Sequence, residues 1–321
     1  MFKHIAHVLR TKGGLLALRR LFDIVKRFLF GRRRFIRLLR ELDLVFVLNQ
    51  IKGSFFITAV LLKRHSKLIE KLRAQGHCLA IHGYHHIRMN DYSPEVQADQ
   101  AAAAAAAFKT NSLDPSGFRP PYLSFNEDTL LGLKNNGFRW TSYQYLLDRL
   151  PGTGEGAAGR LHDLYHIYPL SDVVSIPHWE GGMVDIPITG PDDELMIDRY
   201  RIFDPGKILS IWLDTWRKCH QRGELYHLMY HPERFLLLSP QITSFIAELR
   251  KESPSIWFAT LGEIGDWWIR RSSARPLIVE RDNQAFAYFK DLPEGAVILL
   301  SKQENSGKSA GNGFLEKYEI L

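Results

Sequence analysis

Beyond residue 52 the chain alternates short apolar runs with longer stretches of helical periodicity. Residues 53–60 (GSFFITAV) are apolar, β-branched and aromatic, which predicts a strand. An amphipathic helix over 65–75 is stopped by Gly76, and 78–82 (CLAIH) form the next strand. The helix over 94–109 contains the alanine run Ala101 to Ala107; alanine is the best helix former, so a helix accounts for this low complexity. Asn126 caps a helix over 127–136 that Gly137 closes. Residues 183–189 (MVDIPIT) read as a strand whose Pro187 marks an edge or an end. A helix over 205–221, a strand over 224–230 (ELYHLMY), a helix over 240–252 and a strand over 255–260 (SIWFAT) follow. Upstream, 33–42 read as a helix and 43–50 (DLVFVLNQ) as an extra or rearranged strand. Repeated strand–helix units predict an α/β fold with a parallel sheet or barrel. Residues 142–182, rich in Gly and Pro, read as a long loop or insertion. After Arg271 short strands at 277–280, 285–289 and 296–300 predict a small β appendage, followed by a polar, Gly-rich tail over 301–313 expected to be mobile.

Composition narrows the class. The 321 residues, 45% hydrophobic and 24% charged, can bury a sizeable core, which excludes a disordered or collagen-like chain. Two cysteines, Cys78 and Cys219, are too few for a disulfide framework. The net charge of +7 is concentrated: the first forty residues hold twelve lysines and arginines against the single acid Asp23, and the remainder is net acidic. Nucleic acid is therefore not an expected partner of the whole protein. The basic segment, residues 1–31, lacks the long apolar core and cleavage site of a secretory signal, and no window suggests a membrane span. A cytoplasmic location is expected. Leu15, Leu18, Leu21, Phe22, Val25 and Leu29 recur at helical spacing with cations between them. Two readings stand: a helix packed on the domain with a solvated basic face, which is favoured, and a helix making peripheral contact with an anionic membrane.

In a barrel of parallel strands, chemistry gathers at the C-terminal strand ends. His82 ends the strand 78–82 and begins His82-Gly83-Tyr84-His85-His86. Arg119 precedes Pro120-Pro121-Tyr122. His231 ends the strand 224–230. An H-x-x-x-H spacing lets two imidazoles reach one metal from a single turn, and Gly83 permits the tight backbone. Each motif alone has a structural explanation: the chain holds 13 histidines, and Pro-Pro makes a rigid loop for its own sake. Their order and shared placement lift the combination.

These segments carry a resemblance. Gly76-His77-Cys78-Leu79-Ala80-Ile81-His82-Gly83-Tyr84-His85-His86 resembles the second motif of polysaccharide deacetylases of the NodB-homology type, carbohydrate esterase family 4. Phe118-Arg119-Pro120-Pro121-Tyr122 resembles the third motif, and Leu228-Met229-Tyr230-His231 the last, L-x-x-H. Phe55-Phe56-Ile57-Thr58 resembles the strand before the His motif. The resemblance spans about residues 32–270 and implies a distorted (β/α) barrel; the basic N-terminal helix over 1–31 and the β appendage and tail over 271–321 lie outside it. It implies metal-dependent removal of an N-acetyl group from a carbohydrate; a lipid-linked sugar is a substrate only under the reading of the basic helix as a membrane contact. By the same resemblance His82 and His86 hold a divalent metal, usually zinc. The peptide N–H near Tyr122 helps form an oxyanion hole, Arg119 orients a carboxylate, and His231 is the general acid. Pro121 and Trp179 are the expected substrate contacts. Trp212 and Trp216, four apart on a helix, are expected in the core.

One motif of the family is missing. T-F-D-D, which supplies the general base and a third metal ligand, has no counterpart; Asp23 lies within the basic helical segment. Asp192 and Asp193, in Asp192-Asp193-Glu194, are the expected replacement for the base, with Asp185 and Asp148 as weaker candidates. A turn or helix cap is the equal alternative for Asp192. Two functions remain open, a metal-dependent deacetylase and a non-catalytic protein of the same fold that binds a glycan or glycolipid.

Overall fold

The computed structural model describes residues 36–148, 167–252, 255–273, 276–281, 284–289, 299–300 and 316–317. The expectations for residues 1–31, for Asp23 and for the tail 301–313 lie outside the described residues. The chain divides into a unit reaching to Gly262 and a second from Glu263.

The first unit opens with α1, residues 36–48. This corrects the expected strand at 43–50. Leu38, Leu39 and Leu42 are buried and Val45 and Phe46 pack beside them, a three-and-four spacing that puts one helical face on the core; Leu44, Val47 and Leu48 point to solvent. A strict strand alternation would have divided this apolar run differently.

The strands β1 (Ser54–Ile57), β2 (Cys78–Ile81), β3 (Gly117–Phe118), β4 (Trp140–Thr141) and β8 (Met183–Asp185) run parallel in that order. Antiparallel β7 (His178–Glu180) closes the sheet edge. Helices α2 (Ser66–Ala74), α3 (Pro94–Thr110) and α4 (Glu127–Asn135) form the crossovers. The α/β parallel architecture is as expected.

The alanine run serves packing. Ala101, Ala104 and Ala105 are buried with Phe108, against Leu130 and Leu133 of α4 and Ile81 and Phe118 of the sheet. Asn126 caps α4 as expected: its Oδ1 accepts from Thr129 N at 3.0 Å while Thr129 Oγ1 accepts from Asn126 N at 3.1 Å. A second core joins α1, α5 (Pro205–Gln221) and α6 (Phe235–Lys251), with Trp212 and Trp216 buried in it.

Three further expectations are corrected. The run 183–189 is two strands in different sheets: β8 ends at Asp185 and β9 (Ile188–Thr189) pairs with β5 (Tyr145–Leu146), because Pro187 cannot donate to a ladder between them. Segments 224–230 and 255–260 form no ladders. Thr189 instead bonds the first through its N–H to His227 O, 2.9 Å. The presumed loop 142–182 contains β5, β6 (Ile167–Tyr168) and β7, since tertiary pairing holds short strands that propensity does not announce.

The second unit comprises most of α7 (Leu261–Ser273), the hairpin of β10 (Pro276–Arg281) with β11 (Gln284–Phe289), and the pair β12 (Leu299–Leu300) with β13 (Glu316–Lys317). Among the described residues no helix is long and apolar enough to cross a membrane.

Candidate active site

Because β1 to β4 and β8 are parallel, the residues that follow them emerge on one edge: His82 after β2, Arg119 after β3, Ser142 after β4. His82 N donates to Ile57 O (2.9 Å), and Gly83 and Tyr84 carbonyls accept from Ala59 and Val60. The chain therefore turns sharply at Gly83, at φ +78°, and brings His86 back so that its ring centre lies 5.0 Å from that of His82. The ring centre of Tyr122 lies 4.7 Å from that of His86.

His82 Nδ1 is 2.7 Å from Arg119 O. A carbonyl only accepts, so Nδ1 carries the proton and Nε2 offers a lone pair. Burial pulls the His82 pKa down to about 3, against the hydrogen bond to Arg119 O; the charges of His86, Arg119 and His231 act in the same direction as burial. The imidazole is neutral at working pH, as a metal ligand must be.

Arg119 is almost fully buried. Its Nη2 donates to Ser142 Oγ and to His227 Nε2, both at 2.9 Å, and Nε reaches Ser142 O at 3.4 Å. The guanidinium lies over the Phe56 ring, 3.9 Å from its centre. Burial lowers its pKa to about 9 while Asp185 and Asp192 oppose the fall, so it stays charged at neutral pH. After Arg119 the chain turns through Tyr122 and Leu123 at φ +60° and +50°, left-handed values uncommon for such residues.

His231 sits on a carboxylate cluster. Asp193 Oδ1 accepts from both His231 N and His231 Nδ1, and Arg234 Nη1 lies 3.4 Å from Asp193 Oδ2. Glu194 Oε2 is 3.5 Å from His231 Nε2. Burial disfavours the imidazolium, but the hydrogen bond and charge of Asp193, with the charges of Asp192 and Glu194, overcome it and raise the pKa to about 9. Burial and the charge of Asp193 push the Asp192 carboxyl upward. Its Oδ1 caps Leu195 N at 2.7 Å, the turn-and-cap alternative in physical form, and its own N–H donates to Tyr145 Oη.

The structure thus brings His82, His86, Arg119, Tyr122, Asp192, Asp193 and His231 to one region. Pro121 is buried beneath Gly83, its ring carbon 3.4 Å from where a Cβ on that glycine would lie. Trp179 is half-exposed on β7, opposite Val184, and stands in a strand where a flexible loop was expected. Asp148 is a staple elsewhere, bound to Lys218 at 2.8 Å and Ser171 N at 2.7 Å. Asp185 accepts from Thr141 Oγ1, Tyr143 N and Gln144 N and so fixes the loop carrying Ser142. Sequence reading missed His227 and Ser142. The one available signal was position: Ser142 follows a strand end, and His227 lies four residues before His231.

The imidazoles of His82 and His86 are ligands that suit a zinc ion, but among the described residues no cluster of three His, Cys, Asp or Glu is placed to hold one. The acids proposed from sequence to replace the missing motif are taken up by His231, Arg234 and Leu195. The described residues therefore do not complete a protein-held metal site.

Residues 40–141, which contain the His82–His86 turn and the Arg119 loop, match the polysaccharide deacetylase family profile. Over these residues the chain is similar to polysaccharide deacetylases. Solved structures agree in fold. One described as a polysaccharide deacetylase from Mycobacterium smegmatis is 19% identical, with a TM-score of 0.54, over 79% of this chain and 81% of that one. Another, described as a probable polysaccharide deacetylase from Pseudomonas aeruginosa PAO1, is 15% identical with a TM-score of 0.58, over 73% of each chain. PuuE allantoinase is 16% identical, with a TM-score of 0.56, over 79% of this chain and 76% of its own. No curated protein matches the chain.

Proposed function

We propose that the chain hydrolyses the N-acetyl amide of a carbohydrate, with His231 as the general acid. The observation that carries this reading is the imidazolium held by Asp193 in the same region as the buried Arg119 and the neutral His82. Amide hydrolysis forms a C–O bond from water and breaks the C–N bond, and the departing nitrogen must take a proton. His231, charged up to about pH 9, supplies it from Nε2. Asp193 is the positioning carboxylate, which removes it from the base role expected of it. Asp192 keeps that role: its raised proton affinity brings the carboxyl toward the range a base needs. Arg119 and the Tyr122 peptide N–H face the carbonyl oxygen as charge develops, a stabilisation worth on the order of 3 kcal/mol for one good donor.

His82 and His86 are the residues that would hold a zinc ion. Such an ion would polarise the carbonyl and lower the pKa of water toward roughly 7. Because the described residues do not complete its site, the proposal rests on the chain's own groups. Trp179 supplies an exposed ring for a sugar face.

The test is acetate release from N-acetylated oligosaccharides by the full chain. Release that disappears in His231→Ala and in Asp192→Asn supports both assignments. Unchanged release in Asp192→Asn removes it as base. No release from wild type with zinc supplied, together with glycan binding, would favour the binding protein of the same fold. A lipid-linked substrate is supported by the basic stretch in residues 1–31 alone, and absence of binding to anionic liposomes at low salt would remove it.

A further inference from the structure

We infer that His227 is a positioning residue that, together with Ser142, fixes the guanidinium plane of Arg119. The guanidinium has only donors, so the 2.9 Å contact from Arg119 Nη2 makes His227 Nε2 an acceptor. The proton of this imidazole is then on Nδ1, which donates to Pro187 O at 2.9 Å. The tautomer is set by a backbone carbonyl on one side and by the arginine on the other. Burial, reinforced by the charge of Arg119, holds the His227 pKa down at about 3, so the acceptor persists at any working pH.

The residue is itself clamped. Its N–H donates to Thr189 Oγ1 at 3.0 Å and its carbonyl accepts from Thr189 N at 2.9 Å. The opposing support is equally fixed. Ser142 N donates to Phe118 O, and Asp185 gathers Thr141 Oγ1, Tyr143 N and Gln144 N around the Ser142 loop. Phe56 lies against the guanidinium face. Two independently anchored acceptors and a ring therefore define the plane and rotation of Arg119, with Nη2 and Nε taken up by the scaffold and Nη1 as the end left for a ligand. A planar fork gives directional recognition only when its rotation is fixed. In an arginine that merely neutralised burial, direct pairing with Asp185 or Asp192 would be the simpler arrangement; the nearest contacts are neutral acceptors.

The experiment compares His227→Gln, whose amide oxygen can replace the Nε2 acceptor, with His227→Leu, which has none. The readout that does not depend on turnover is nitrogen NMR of Arg119 in protein labelled at arginine, with Arg119→Lys giving the assignment. Slow rotation about Cζ–Nε in the wild type, kept in His227→Gln and lost in folded His227→Leu, is the expected result. Equal rotation in all three overturns the inference. The second readout rests on the proposed function: His227→Leu should lower kcat for acetate release by about 10²-fold, the order of effect of a misplaced catalytic group, with His227→Gln restoring most of it. In an Arg119→Lys background His227→Leu should cost little more, and a full additional loss would also overturn it. If wild type releases no acetate, the proposed activity fails while the NMR comparison still decides the role of His227.

Discussion

One oxygen of Asp193 holds His231 twice, accepting from its backbone N–H at 3.0 Å and from its Nδ1–H at 3.0 Å. The double contact fixes the position of the residue and keeps a proton on Nδ1, so the proton the imidazolium can give up is the one on Nε2. His231 is charged up to about pH 9. The alkaline limb of kcat/KM should therefore lie near pH 9, and Asp193→Asn should move it toward the ordinary histidine range near 6.5. A limb unmoved by Asp193→Asn would show that His231 is not the acid.

The same pair makes a stability prediction. The folded pKa lies above the unfolded one, so the contribution is complete below about pH 6.5 and is lost as pH rises through about 9. Urea unfolding of wild type and Asp193→Asn across this range should show the two stabilities converging as the pH increases. A constant gap would mean that the variant acts through packing instead.

Gly83 should tolerate no side chain. It stands at φ +78°, and a Cβ would lie 2.7 Å from His85 O within the turn that returns His86 to His82. Gly83→Ala should cost about 1–3 kcal/mol through backbone strain and should also lower acetate release, because the turn sets the His82–His86 geometry. Thermal unfolding and activity at wild-type stability conditions check the two effects; a fully active variant would separate the turn from the chemistry.

Zinc titration tests the two imidazoles. Because the described residues add no third ligand to His82 and His86, wild type should retain no more zinc than the His82→Ala/His86→Ala variant. Elemental mass spectrometry after dialysis reads this directly. About one ion per chain in wild type and none in the variant would show that a further ligand completes the site.

At the opposite end of β1 and β2, Asp43 from α1 is buried between His77 Nε2 at 3.1 Å and Lys71 Nζ at 2.5 Å, while His77 Nδ1 accepts from Gly53 N. Asp43→Ala leaves the buried His77 donor without its acceptor and should cost about 1–3 kcal/mol. Urea unfolding measures it, and acetate release per folded molecule should not change.

The site was legible where it depends on local spacing. The His82–His86 turn needs a glycine between its histidines, Arg119 precedes a rigid Pro-Pro turn, and His231 follows an extended apolar run; each lies within a few residues of its cause. The base was not legible in the same way. Asp192 and Asp193 are adjacent in sequence and alike in type, and only the approach of residue 231, 38 positions from Asp193, gives one of them an imidazole to orient.

By itself the sequence determined the alternation of strand and helix, the alanine-faced α3, the Asn126 cap and the order of the motifs, because periodicity and capping act over one or two turns of chain. Tertiary structure decided the rest. Residues 43–48 became helix because their apolar face met the core of α1, α5 and α6; 183–189 became two strands because each half found a different partner; and 224–230 were tied to Thr189 by single bonds in place of a ladder. The pairing of His227 with Arg119, 108 residues apart, is the clearest case. A hydrogen bond that needs two buried groups brought together by the whole fold has no local signature, so only the packed structure could reveal it.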